Sequence, residues 1–196
     1  MSEAARKTLL RRERRAEAER HSAEERLKAS EKLCAMLKQQ DVWKKSRSVL
    51  FYSPIGHEPN IWGLVTEALA MNKTVGLPRF ETSQSSYSIC RVRNHLEDLV
   101  PGQFGIPEPN PACSLLDLNL LDLILVPGVG FATAGQRLGR GKGYYDRLLA
   151  NAGGFKCGVA FDWQVVADLP LEPHDVPLNC IVTPTRWLEV PPPRRF

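Results

Sequence analysis

No stretch of this chain approaches the roughly 20 consecutive apolar residues that a membrane-spanning helix requires. The opening MSEAARKTLLRRERR lacks the apolar core of a secretory signal, and its glutamates are foreign to organelle presequences. A cytoplasmic location with no membrane association is the expectation. Paired cysteines are also missing. Cys34, Cys90, Cys113, Cys157 and Cys180 are odd in number and far apart, with no CxxC pair. That pattern fits reduced, mostly buried thiols and speaks against a disulfide framework or a zinc site. None of the five sits in an electropositive motif, so a catalytic thiol is not indicated. The four histidines are equally dispersed. A broad basic face interleaved with aromatics is absent too, and the net charge is only +4. This argues against bulk nucleic-acid binding and favours small anions as partners.

What is present is an ordinary globular composition, 43% hydrophobic and 24% charged over 196 residues. A chain of this length fits one domain that buries roughly 70% of its unfolded surface. The first forty residues are helical in character and are expected to pack on that domain. Residues 4 to about 20 are rich in Arg, Glu, Ala and Leu, and on charge pattern alone they read as a solvated, ion-paired helix. Ser22-Ala-Glu-Glu25 matches a capping box, predicting a second helix to about Gln39 with Leu27, Cys34 and Leu37 on its buried face.

From Ser48 strands and helices alternate. Strands are predicted at Ser48–Tyr52, at Thr74–Leu77 ending in Pro78, and at Tyr87–Val92 as one arm of a hairpin. Asp122–Val126 is an apolar run of the kind central parallel strands carry. Further strands fall at Phe155–Phe161 and Asn179–Val182, with helical spacing at Ile61, Leu64, Val65 and Ala68 and a short helix from about Gln164. The expected fold is α/β: a three-layer sandwich around a mostly parallel, Rossmann-like sheet. The terminal PPPRRF, residues 191–196, reads as disordered or extended.

Most of the functional signal lies in residues 123–150, LILVPGVGFATAGQRLGRGKGYYDRLLA. An apolar strand empties into a glycine-rich segment with three cations, Arg137, Arg140 and Lys142, and then into a helix. Backbone amides stripped of side chains at Gly139, Gly141 and Gly143 suit an anion. Arg140 offers a bidentate fork to phosphate and Lys142 a point charge. Three like charges so close call for a negative occupant. The segment is not a Walker A loop, because Gly143 follows Gly141-Lys142 where Ser or Thr is required. Nor is it a dinucleotide fingerprint, because Thr133 replaces the last glycine. Asp146 either complements the following helix or, kept ionised by its cationic neighbours, holds Mg²⁺. Tyr144 and Tyr145 either stack on a flat ring or pack.

The segment PGVGF…G-Q-RLGRGKGYYDRLL resembles the signature of the 5-formyltetrahydrofolate cyclo-ligase (5,10-methenyltetrahydrofolate synthetase) family. Lys7-Thr-Leu-Leu-Arg11, Gly105-Ile-Pro-Glu-Pro109 and His174-Asp175-Val-Pro are similar to further motifs of that family, in order, over about residues 4 to 190. The resemblance implies a cyclo-ligase fold of the NagB/RpiA-like kind. It also implies ATP- and Mg²⁺-dependent conversion of 5-formyltetrahydrofolate to 5,10-methenyltetrahydrofolate in one-carbon metabolism, with release of ADP and phosphate. In that scheme the formyl oxygen is phosphorylated and N10 closes the ring. Carried over residue by residue, the ATP site falls on Lys7, Arg11, Arg137, Leu138, Gly139, Arg140, Gly141, Lys142, Gly143, Tyr144 and Tyr145. Arg140 and Lys142 are the implied catalytic pair. Tyr52, Glu58, Phe104, Arg140 and Tyr144 are implied to hold the folate, with His57 the alternative to Glu58 as reader of the pterin. Asp146 and Asp175 are the implied magnesium ligands. The resemblance also makes the first helix a wall of the nucleotide site.

Two departures carry consequences. Ala132 stands where family members commonly carry Asp, and Asn179 at a second position that is often Asp. A folate- or nucleotide-binding homologue with weak or no turnover is therefore the alternative function. An RNA-binding accessory role for the Arg-rich first helix is a third. The partner is expected to be a small molecule, and the assembly a monomer or weak homo-oligomer.

Overall fold

The computed structural model describes residues 2–172 and 175–191, the Phe104 side chain excepted. His174 and residues 192–196, where a disordered tail was expected, lie outside the described residues, as does any role for the Phe104 ring.

Helix α1 (Glu3–Glu19) is capped by Ser2, whose hydroxyl accepts from the Ala5 amide at 3.3 Å. Helix α2 (Ala23–Gln39) opens with the reciprocal capping box its sequence announces. The Glu25 amide donates to the Ser22 hydroxyl at 3.1 Å, and the Ser22 amide to the Glu25 carboxylate at 2.7 Å. Its buried stripe is Ser30, Leu33 and Leu37. Leu27, expected inside, is 49% exposed; it lies about 120° around the helix from Leu33. A short helix α3 (Asp41–Lys45) leads into the sheet, and Trp43 on it is buried.

Strand β1 (Ser48–Leu50) stops short of the expected Tyr52, then the chain turns into α4 (Trp62–Ala70). Ile61, Leu64, Val65 and Ala68 are all buried there, as their spacing requires. β2 (Thr74–Glu81) runs on through Pro78 instead of ending before it. The reason is positional: β1 covers only Thr74–Gly76, and beyond that β2 pairs with β3 (Ser86–Val92) alone, where a missing amide is tolerated. A small hairpin follows, β4 (Leu99–Pro101) with β5 (Pro107–Pro109).

β6 (Leu123–Val126) is buried along its whole length. The segment after it is not one loop. It folds into a hairpin of β7 (Gly130–Ala132) and β8 (Arg137–Leu138) before α5 (Tyr144–Ala150). β9 (Phe155–Val159) comes next. Where a helix was expected from Gln164, a single 3-10 turn at Asp162–Gln164 ends there, and β10 (Val165–Val166) pairs with β7. The two valines, β-branched, fit a pleated ladder better than a helix. β11 (Cys180–Val182) and β12 (Trp187–Glu189) complete the sheet.

The main sheet has the order β12-β11-β9-β6-β1-β2-β3. Its five inner strands are parallel, and the two edge strands antiparallel. Residues on one face, Val49, Val75, Leu125 and Val159 among them, pack with α2, α3 and α4. Leu50, Ile124, Val126 and Ile181 on the other face pack with α5. The layering is thus the expected three-layer α/β arrangement. Among the parallel strands the direction of winding reverses between β1 and β6, the place where open α/β sheets bind ligands at their strand C-terminal ends. Among the described residues no helix is long and apolar enough to cross a membrane.

Candidate active site

Two cavities open at that reversal. The first, about 200 Å³, is lined by Tyr52 and Ser53 after β1, Pro127 and Gly128 after β6, and the aromatic rings of Tyr87, Tyr144 and Tyr145. The second, about 230 Å³, is polar and is closed by Lys7 and Arg11 of α1 with Glu172 and Asp175. Arg137, Gly139, Gly141, Lys142, Gly143 and Asp146 line both. The structure therefore brings together nearly every residue singled out in the sequence around one glycine-rich segment. Leu138 lines only the polar cavity, while Tyr52, Glu58, Arg140, Tyr144 and Tyr145 line only the first.

The crowding of three cations does not await an outside anion. Arg137 is buried on β8 and its Nη2 donates to Asp146 Oδ1 at 2.6 Å. Arg140 donates to Glu58 Oε1 from Nε at 3.1 Å and from Nη2 at 3.0 Å. Two of the three positive charges are balanced by the chain's own carboxylates, and Lys142 is exposed. Asp146, expected to hold a metal or to complement its helix, thus meets a cation of the chain itself through Oδ1 while still lining both cavities.

Helix α1 is no solvated surface helix. Lys7, Arg11, Arg14 and Ala18, spaced along one face, turn toward the body of the protein. Lys7 is buried and its Nζ donates to Glu172 Oε2 and Asp175 Oδ2, each at 2.6 Å. Burial pulls its pKa down, but the two carboxylates outweigh that and leave it raised. Arg11 Nε donates to the Gly139 carbonyl at 2.8 Å, tying α1 to the glycine-rich segment. Gly141 sits at φ +98°, a backbone conformation that L side chains rarely adopt, and a Cβ there would come into ordinary contact with the Arg11 guanidinium carbon at 3.4 Å.

The first cavity pairs an apolar wall with buried carboxylates. Glu58 closes a turn, its Oε2 accepting from the Ile55 amide at 3.1 Å. Burial raises its pKa, opposed by the Arg140 charge and the Ile55 amide. His57 does not line the cavity, and its Nδ1 is buried without a partner among the described residues. Glu58 is thus the candidate ring acceptor. Tyr52 is fully buried, its hydroxyl donating to the Pro59 carbonyl at 2.9 Å. Burial pushes the Tyr52 and Tyr145 phenols well above their ordinary range. Tyr144 packs against Phe80 and Tyr87, ring centroids 5.0 and 5.8 Å apart, while still facing the cavity.

Sequence reasoning passed over Glu108, a buried carboxylate in the first cavity whose pKa is raised by burial. Its one signal was membership of the Gly105–Pro109 motif. Glu172 in the second cavity carried no signal at all. Neither departure lines either cavity, though Ala132 packs directly behind the polar one. Ala132 is fully buried with Leu138 and Leu169, and Asn179 Oδ1 accepts from the Lys156 amide at 2.7 Å, joining β9 to β11.

Residues 3–184 match the 5-formyltetrahydrofolate cyclo-ligase family. A 5-formyltetrahydrofolate cyclo-ligase of Mycolicibacterium smegmatis is 33% identical over 147 residues, which cover 72% of this chain and 76% of that protein. One from Escherichia coli is 42% identical over 96 residues, 47% of this chain and 53% of that protein. The solved 5,10-methenyltetrahydrofolate synthetase of Aquifex aeolicus is 37% identical and superposes with a TM-score of 0.86, covering 97% of this chain and 95% of that one. The chain belongs to the 5-formyltetrahydrofolate cyclo-ligase family.

Proposed function

We propose that this member of the 5-formyltetrahydrofolate cyclo-ligase family converts 5-formyltetrahydrofolate to 5,10-methenyltetrahydrofolate at the expense of ATP, with Mg²⁺. The observation that carries the reading is the wall shared by the two cavities. An apolar, aromatic-lined space and a polar, charge-lined space meet at Arg137, Gly139, Gly141, Lys142, Gly143 and Asp146. A ring in the first and a triphosphate in the second put the groups that must react on either side of that segment.

The reaction needs this juxtaposition. An amide-like formyl oxygen is a poor leaving group, and phosphate is a good one. The formyl oxygen takes the terminal phosphoryl group and ADP departs. N10 then attacks the formyl carbon, its proton is lost, and the carbon–oxygen bond breaks to release phosphate. Such catalysis is mostly positioning and charge stabilisation. Lys7 and Arg11 hold the outer phosphates, Arg140 and Lys142 steady the transferring group, and Glu58 accepts from the ring's amino donors. Tyr144 lies against the folate. Asp146 and Asp175 supply hard oxygens to the polar cavity, and among the described residues no cluster of three or more His, Cys, Asp or Glu forms a metal site by itself. That donor set fits a magnesium ion arriving on triphosphate oxygens, which needs one or two protein carboxylates. When bound, the ion neutralises charge on the phosphoryl group.

The test is a coupled assay. Mixing the protein with 5-formyltetrahydrofolate, ATP and Mg²⁺ raises near-ultraviolet absorbance as methenyl product forms, with ADP released in step. Arg140→Ala lowers kcat by about 10²–10³-fold. Folded wild-type protein that binds both ligands and yields neither product nor ADP is a binding homologue instead.

A further inference from the structure

In the proposed reaction Arg140 serves the phosphoryl group and Glu58 the ring, yet in the structure the two hold each other. Glu58 Oε1 accepts two bonds from Arg140, while Oε2 accepts the Ile55 amide. Arg140 Nη2 also donates to the Ile55 carbonyl at 3.1 Å. The contact bridges the turn after β1 and the segment after β8 across the first cavity. A ring presenting an amino group beside a ring N–H binds a carboxylate through these same oxygens. Ring and arginine therefore compete for one acceptor.

We propose that Glu58 is a positioning residue for Arg140: it keeps the guanidinium over the first cavity until the substrate ring claims the carboxylate, whereupon Arg140 turns to the phosphates. The inference rests on the functional reading above and adds its order of events. Burial identifies the mobile partner. The Glu58 side chain is 8% exposed and closes its own turn, whereas that of Arg140 is 43% exposed. Arg140 is flanked by Gly139 and Gly141, which put no side chain in the way of a swing of its own. A half-exposed ion pair is cheap to exchange. A buried carboxylate oxygen left without its donors is costly, so Arg140 departs from Oε1 when a replacement donor arrives. Ring binding and triphosphate binding are then positively coupled, and by linkage each strengthens the other equally.

Calorimetry on the full chain tests this, with a non-hydrolysable β,γ-methylene ATP analogue and Mg²⁺, titrated with and without saturating 5-formyltetrahydrofolate. In the wild type the folate tightens analogue binding about tenfold. In Arg140→Ala that factor falls to about one. In Glu58→Gln, which keeps the shape and weakens the grip on Arg140, the analogue alone binds nearly as tightly as it does to folate-loaded wild type. Thermal melts show whether each variant is folded, and if Glu58→Gln is not, the wild type and Arg140→Ala decide. A wild-type factor near one overturns the inference, as does an unchanged analogue affinity in folded Glu58→Gln. Failure of the wild type to bind the folate or form product rejects the functional reading itself. Product formation without coupling rejects only the latch.

Discussion

Arg137 and Asp146, on a two-residue strand and in the first turn of α5, form a 2.6 Å ion pair whose side chains are only 4% and 18% exposed. The pair fastens β8 to α5 and so fixes both ends of the glycine-rich segment. Breaking a buried pair from one side leaves an uncompensated charge, which costs about 3 kcal/mol. Asp146→Asn should therefore lower the melting temperature by about 6–12 °C. Replacing both partners together, Arg137→Met with Asp146→Leu, should recover most of that loss but not turnover. A single variant that melts with the wild type means the pair holds nothing in place.

Lys7 gives a pH-dependent prediction. Its pKa is raised above 10.5 although burial pulls it down, because Asp175 and Glu172 bind the charged form. A raised lysine pKa contributes stability that is full below the unfolded value and lost as pH rises through the folded one. The stability gap between wild type and Lys7→Gln should be flat from about pH 7 to 10 and shrink above that. Denaturant titrations across this range check it. A gap that grows with pH contradicts the assignment.

Gly141 tests the backbone of the segment. At φ +98° an L side chain is strained, while its Cβ would only touch the Arg11 guanidinium carbon, 3.4 Å away. Gly141→Ala should cost about 1–2 kcal/mol and, by relaxing the strained backbone, shift the segment that Arg11 holds at the Gly139 carbonyl. The expected kinetic signature is a higher KM for ATP with a smaller change in the KM for folate. Equal effects on both would place the damage elsewhere.

The parts of the fold legible in the sequence are those whose partners do not matter to the pattern. β6, β9 and β11 read as central strands because both faces are buried, and Ser22 with Glu25 announces a helix by itself. What escaped depends on distant pairing. β7 and β10 are two or three residues long and exist because Phe131 meets Val165, which no local pattern encodes. The same holds in the site. Lys7 and Arg11 are one turn apart in any helix, but a solvated helix shows that spacing too. Only docking of α1 on the glycine-rich segment separates the two cases. Likewise the sequence shows three crowded cations and gives no sign that Glu58 and Asp146 already neutralise two of them.

With the role proposed for it, Glu58 should set the acid limb of activity. Burial raises its pKa above 4.5, and the Arg140 charge pulls it back. A raised carboxylate pKa means stability is full below the unfolded value and lost as pH rises through the folded one. Ionised Glu58 is thus a burden on the fold at neutral pH, and Glu58→Gln should melt no lower than wild type. The proposed ring binding uses the ionised form, so kcat/KM should fall on the acid side with an apparent pKa above 4.5. Arg140→Gln removes the cation that restrains the shift and should move the limb to still higher pH in its residual activity. Glu58→Gln should abolish the limb along with most folate affinity. A limb that stays in place in Arg140→Gln would separate the two residues electrostatically, despite the 3.0 Å between them.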